Sequence, residues 1–151
     1  ENNFTVYAFD IEHESILRCN ERFQDDSQVQ LFQDSFSSFV YPNASLIVAD
    51  ASLFFCPPHE FDVVWKSLGQ SLEAANGIFC GSFLGPKDTM AGPDYDKTAF
   101  WPEVMVFTEP ELRERFAGYD IKQWTEHNVA GETPQGTPHN WHIYSVVAQK
   151  R

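Results

Sequence analysis

Lysine and arginine are scarce in this chain, 10 against 22 aspartates and glutamates in 151 residues, for a formal net charge of −12. That imbalance repels a phosphate backbone and an anionic membrane surface alike, which argues against nucleic acid and membrane as partners; its ordinary consequence is solubility. Cysteine is scarce too. Cys19, Cys56 and Cys80 are odd in number and lack CxxC spacing, so neither a disulfide framework nor a zinc ribbon is indicated, and a reducing, cytoplasmic compartment is expected. No apolar run reaches the roughly 20 residues of a membrane helix, and the polar start Glu1-Asn2-Asn3 is not a signal peptide. The chain has no GxGxxG and no Tyr-x-x-x-Lys pair, which ranks a nicotinamide-dependent oxidoreductase last. The sequons Asn3-Phe4-Thr5 and Asn43-Ala44-Ser45 are of a kind common by chance.

What is present is enough apolar material, 42% hydrophobic and 15% aromatic, to bury one core, so residues 1–151 are expected to form one domain. Phe4 to Asp10 is a near-continuous apolar run ending on an acid, the pattern of a strand in a sheet covered on both faces. Glu14 to Phe23 carries Ile16, Cys19 and Phe23 at helical spacing, and Val29 to Phe32 is a short strand closing on Asp34. Leu46 to Ala49 is a buried strand. Phe61, Val64, Trp65, Leu68 and Leu72 form one helical face, stopped at Asn76-Gly77, and Ile78 to Leu84 is the next strand. Strand and helix alternate, so the sheet should be largely parallel.

Gly85 to Pro102 reads as a long loop, of a length typical of binding loops or lids. Thr108 and Glu111 have the spacing of a capping box opening a helix to Phe116. Two last strands, about Tyr119 to His127 and Asn140 to Ala148, joined through residues 131–138, are predicted to pair as an antiparallel hairpin.

Particular segments resemble the class I S-adenosylmethionine-dependent methyltransferases. Val6-Tyr7-Ala8-Phe9-Asp10 resembles the family's second strand, and Gln33-Asp34-Ser35-Phe36 the segment after the third. The stretch from Ala44 to Pro58, with its Phe55-Cys56-Pro57-Pro58 ending, resembles the fourth strand and loop of the tellurite-resistance type, and is the most specific match. Gly77 to Gly85 resembles the fifth strand; Phe107 to Leu112 followed by Tyr119-Asp120-Ile121 resembles the closing helix and hairpin. The resemblance implies an α/β, Rossmann-like, mostly parallel sheet with helices on both faces and a C-terminal antiparallel hairpin. It also implies an N-terminally incomplete chain, because the family's first strand, glycine loop and flanking helices, on the order of 40–60 residues, have no counterpart after Glu1.

The same resemblance implies S-adenosyl-L-methionine as cofactor and methyl transfer to a small-molecule acceptor such as a thiol or chalcogen oxyanion, and leaves room for a homodimer. Asp10 and Ile11 would meet the ribose, Asp34 and Ser35 the adenine, and the small residues around Asp50, Ala49 and Ala51, would let backbone approach the cofactor. From the residues alone, the better reading of Asp10 is a cap of the following helix, and Asp34 has an Asx-turn former as its alternative. Phe55, Trp101 and His142 are candidates for the acceptor side, His142 by orienting an anion when protonated, although aromatics and histidines more often pack. The three-residue spacing of His139 and His142 places them on opposite faces of a strand and argues against a shared metal. A non-catalytic methyltransferase-like binding module is the competing reading.

Overall fold

Parallel strand pairs cannot be closed by a tight turn and need a crossover, usually a helix, and this requirement shapes both halves of the chain. The structure, a computed structural model, describes residues 3–95 and 103–151. It divides into two units, Glu1–Val40 and Tyr41–Arg151.

In the first unit, strand β1 (Val6–Asp10) and strand β2 (Val29–Gln33) are parallel, in register from Val6 opposite Val29 to Asp10 opposite Gln33, and helix α1 (His13–Phe23) makes the crossover. Ile16 is the buried residue of α1, and an exposed Glu14–Arg18 pair one helical turn apart adds a few tenths of a kcal/mol. Phe39 folds back and stacks on Phe9, ring centroids 4.2 Å apart, with Phe32 edge-on at 5.6 Å. Phe4, Tyr7, Ile11 and Leu17 remain exposed, as a unit of about 40 residues can bury only a small core.

The second unit holds β3 (Leu46–Ala49), α2 (Pro58–Glu73), β4 (Ile78–Leu84), α3 (Glu109–Arg115), β5 (Tyr119–Glu132) and β6 (Pro138–Lys150). Its sheet has the order β3-β4-β6-β5, parallel between β3 and β4 and antiparallel at the other two pairings. Period-two alternation sends Phe79 and Phe83 of β4, with Tyr144, Val146 and Ala148 of β6, to one buried face. There Trp65 of α2 sits 5.3 Å from Phe79, 6.0 Å from Phe83 and 5.1 Å from Phe116, mostly edge-on, and donates its indole N–H to the carbonyl of Arg115 at 3.2 Å. One aromatic cluster thus fastens α2 and the end of α3 to the same face of the sheet.

The α2 face predicted from spacing is buried at Phe61, Val64, Leu68 and Leu72, and the helix starts earlier than Phe61 because Pro58 occupies its first position, where a missing N–H costs nothing. The capping box forms: the Thr108 amide and hydroxyl both donate to the Glu111 carboxylate, at 2.8 and 2.6 Å.

Three expectations change. Parallel pairing is present, but in two separate sheets, and the four-stranded one is mixed. Helices α2 and α3 cover one face of that sheet, whereas its other face carries Leu46, Ile78 and Val48, the last 68% exposed. The hairpin strands run well past their expected ends, closing in a turn at 133–137 where Gly136 has φ +78° and the Thr133 amide donates to the Thr137 carbonyl at 2.8 Å. Ladder hydrogen bonds, not side-chain burial, define that distal stretch, since nearly all of 126–132 is exposed. Within 85–102, residues Thr89–Ala91 form a 3₁₀ turn, and further on Val106 bridges in parallel to Leu84, continuing the sheet beyond the end of β3.

Two tests follow from the core and the cap. Truncating Phe83, which is 0% exposed, to alanine should cost about 3–5 kcal/mol in urea unfolding, whereas Val48→Ala should stay within about 0.5 kcal/mol; equal costs would contradict this assignment of faces. The Thr108 hydroxyl first, and then its amide, holds the Glu111 carboxyl below the usual range. A depressed folded-state pKa contributes stability above the unfolded value, and that contribution is lost as pH falls through the folded value. Glu111→Gln should therefore be less stable than the parent at neutral pH, and the difference should vanish in acid; a difference constant with pH would be the contrary result.

Candidate functional site

Residues at the carboxyl ends of parallel strands are where ligands gather in open α/β sheets. Each unit presents one such end. In the first, Asp10 closes β1 and Asp34 follows β2 directly, the Asp34 amide donating to the Asp10 carbonyl at 3.0 Å. The register sets Asp10 opposite Gln33, so the two carboxylates are staggered by one residue. Asp10 is exposed, and its Oδ1 accepts the Glu12 amide at 2.8 Å, turning the chain into α1. Gln33 reaches back to Ile11 through an amide-to-carbonyl bond of 3.4 Å and meets His13 Nδ1 at 2.9 Å. Asp34 Oδ1 accepts from the Ser35 amide at 3.1 Å and from the Ser38 hydroxyl, while Ser35 and Ser38 bond each other reciprocally. Asp34 thus makes the Asx-turn that the residues alone suggest, whereas Asp10 does not cap α1, whose N-cap is Glu12 without a side-chain cap bond; the structure brings Asp10, Ile11, Asp34 and Ser35 into one pair of adjacent turns.

In the second unit the chain leaves β3 through Ala49, Asp50 and Ala51. Ala49 is buried; Asp50 and Ala51 are exposed. Ala51 has φ +47°, a left-handed conformation uncommon for a residue with a Cβ, and its amide is held by the hydroxyl of the buried Ser82 at 2.7 Å. A non-glycine residue so constrained marks a turn whose backbone is placed deliberately. Phe55 follows in a 3₁₀ turn (Leu53–Phe55), half-buried with its ring 4.5 Å from that of Phe54, and the Met105 amide donates to the Phe54 carbonyl at 2.8 Å. Cys56 next to it is buried, and burial first, then the Glu60 carboxylate, raises its thiol to about 11, which keeps it protonated.

His142 stands on the inward face of β6, 1% exposed, with both ring nitrogens engaged. The Lys87 amide donates to Nδ1 at 3.0 Å, so Nδ1 is unprotonated; Nε2 carries the hydrogen and donates to Glu126 Oε1 at 2.8 Å. His139 approaches the same Asp88 that accepts the His142 amide, 3.4 Å from its Oδ1 through Nε2, with its ring against Trp141. Among the described residues no group of three or more His, Cys, Asp or Glu is placed to hold a metal ion. Trp101 lies outside the described residues. An open groove bounded by Trp65, Val106, Phe107, Glu111, Glu114 and Arg115 contains none of the predicted residues.

Ser82, Gly85, Asp88 and Glu126 are the members of this region that sequence reading passed over. Ser82 was visible as a hydroxyl inside an apolar strand; Gly85 has its reason in the fold, because a Cβ there would lie 2.3 Å from His142 Nδ1.

No family model matches the chain, and no curated protein matches it. Solved structures do. TehB from Haemophilus influenzae is similar over 99% of this chain with a TM-score of 0.74 and 14% identity, and the chain spans 51% of that protein's length. A SAM-dependent methyltransferase from Methanosarcina mazei is similar over 96% of this chain and 81% of its own, with a TM-score of 0.68 and 17% identity. The N-methyltransferase NodS from Bradyrhizobium japonicum is similar over 95% and 72%, at 0.63 and 11%. The fold is therefore that of the SAM-dependent methyltransferases. At these identities the likeness extends to the fold alone.

Gly85→Ala should force the His142 ring aside, lowering the melting temperature and increasing hydrogen exchange of the Lys87 amide. An alanine variant with unchanged exchange there would show that the close approach imposes no constraint.

Proposed function

We propose that this chain forms the larger part of an S-adenosylmethionine-dependent methyltransferase that acts on a small-molecule nucleophile. The observation that carries the reading is the pair of acids at the carboxyl ends of neighbouring parallel strands, on a fold shared with enzymes of that class. Asp10 is exposed and the bond it makes uses Oδ1, which fits a carboxylate that accepts ribose hydroxyls through charge-assisted hydrogen bonds. Asp34 and Ser35 are the residues for the adenine, Ile11 lies beside the ribose, and Ala49, Asp50 and Ala51 offer a fixed backbone edge. Phe55 and Trp101 belong to the acceptor side, together with His142.

The cofactor, when bound, supplies an electrophilic methyl group; the protein's part is to bind it, align the nucleophile and exclude water. A thiolate or chalcogen oxyanion needs no proton removed, so no general base is assigned. In finer detail we read the protein as a cytoplasmic relative of the tellurite-resistance type, a Rossmann-like sheet whose first strand comes from outside these 151 residues. That reading draws support from β1 and β3, each an edge strand with one side unpaired among the described residues. A homodimer fits as well. The exposed Leu46 and Val48 on β3 favour a second reading, a module that recruits a partner strand without catalysis.

Calorimetric titration of S-adenosylhomocysteine into the full-length protein decides between them. Binding weakened roughly ten- to a hundredfold by Asp10→Ala, the effect of one charged hydrogen bond, supports the enzyme reading. Unchanged affinity removes Asp10 from the site, and no binding by the parent protein favours the partner-binding module.

A further inference from the structure

Past the carboxyl end of β4, the chain from Gly85 to Ala91 is tied to the hairpin by a set of bonds that converge on His142 and Asp88. The Gly85 amide donates to the His142 carbonyl at 2.6 Å, and the Lys87 amide to His142 Nδ1 at 3.0 Å. In return the His142 amide donates to Asp88 Oδ2 at 2.9 Å, while Asp88 Oδ1 accepts from the Met90 amide at 3.0 Å. Asn140 closes the set, its amide bonding Thr89 Oγ1 at 2.8 Å and its side chain the Lys87 carbonyl at 2.7 Å. Asp88 is 3% exposed. Buried polar groups satisfied in this manner fix a single arrangement, because any displacement leaves several of them unpaired at once.

We infer that His142 is a positioning residue, which acts on the methyl acceptor through the Gly85–Ala91 backbone and not by touching it, and that this role requires the tautomer with hydrogen on Nε2. The inference rests on the methyltransferase reading for its functional half alone. Enclosed among Gly85, Lys87, Glu126 and Tyr144, the imidazole has no face left for a ligand. Glu126, as acceptor of the Nε2 hydrogen, selects that tautomer; Nδ1, as an acceptor, then fixes Lys87. The segment so fixed begins at the carboxyl end of β4, whose neighbour β3 ends in the pinned turn at Ala51, so its backbone forms a rigid wall at the ligand-binding end of this strand pair.

Two amide isosteres separate this role from mere filling of space. An asparagine can set its carbonyl oxygen near the Nδ1 position and still accept from Lys87; a glutamine reaches instead toward Glu126 and leaves Lys87 without a partner. In hydrogen exchange of the full-length protein, His142→Asn should keep the Lys87 amide protected within about threefold of the parent, and His142→Gln should lose more than about tenfold there, at similar protection of the β4 amides. Nitrogen NMR should show a pyridine-like Nδ1 and a pyrrole-like Nε2. With a methyl acceptor in hand, His142→Gln should raise its KM about tenfold or more while S-adenosylhomocysteine affinity stays unchanged, and His142→Asn should restore most of the loss. Equal exchange in both variants, or the opposite tautomer, overturns the inference. Should the His142 variants fail to fold, Glu126→Ala on the edge strand β5 takes their place, with faster Lys87 exchange expected and unchanged exchange contradicting it. If the parent protein binds no cofactor, the enzyme reading falls while the exchange data still decide the tautomer-dependent hold on Lys87.

Discussion

The turns that carry the candidate site follow from the need of parallel strands for a crossover. A helix must carry the chain from the end of one strand back to the start of the next, so the turns that leave the strands accumulate at their carboxyl ends. In the first unit α1 makes that return and leaves Asp10 and Asp34 in adjacent turns; in the second α2 makes it and leaves the Ala49–Ala51 turn and the Gly85–Ala91 segment at the ends of β3 and β4. Several backbone amides there are met by side chains instead of ladder carbonyls. Asp10 holds the Glu12 amide, Asp34 the Ser35 amide, Ser82 the Ala51 amide and His142 the Lys87 amide. The same groups that satisfy the turns make their geometry definite.

Packing secures this frame unevenly. The second unit has a dense aromatic cluster around Trp65, with Phe79, Phe83 and Phe116 edge-on to it and Phe61 stacked on it, and Arg113 lies 4.1 Å over the Trp124 ring at the sheet's outer strand. The first unit has Ile16 and Phe39 as its buried apolar residues and several large side chains exposed. Dense packing therefore belongs to the second unit more than to the first.

The helical face from Phe61 to Leu72 was legible because burial on one side imposes a period that the residue types display, and the strands Leu46–Ala49 and Ile78–Leu84 because they are short apolar runs. The first of these strands was expected to be buried, yet Leu46 and Val48 are exposed, since an apolar run does not itself say which face is covered. The Thr108–Glu111 box was legible because its chemistry is local. Pairing between strands distant in sequence is not local, and nothing in the residues of β1 and β3 announces that they belong to different sheets. The distal hairpin was hidden for another reason: Asn128 to Glu132 is exposed on both faces, so its extended form is held by backbone bonds that leave no trace in side-chain pattern. His142 occupies the middle case. Its alternation with Tyr144, Val146 and Ala148 marks an inward face, yet only coordinates reveal that Gly85, Lys87 and Glu126 surround it.

The central claim is that the acids ending the first strand pair receive a nucleoside. A crystal structure of the full-length protein with S-adenosylhomocysteine addresses it directly. The account predicts both ribose hydroxyls on the Asp10 carboxylate and the adenine amine beside Asp34; a cofactor seated elsewhere, with Asp10 bonded to the Glu12 amide alone, would contradict it.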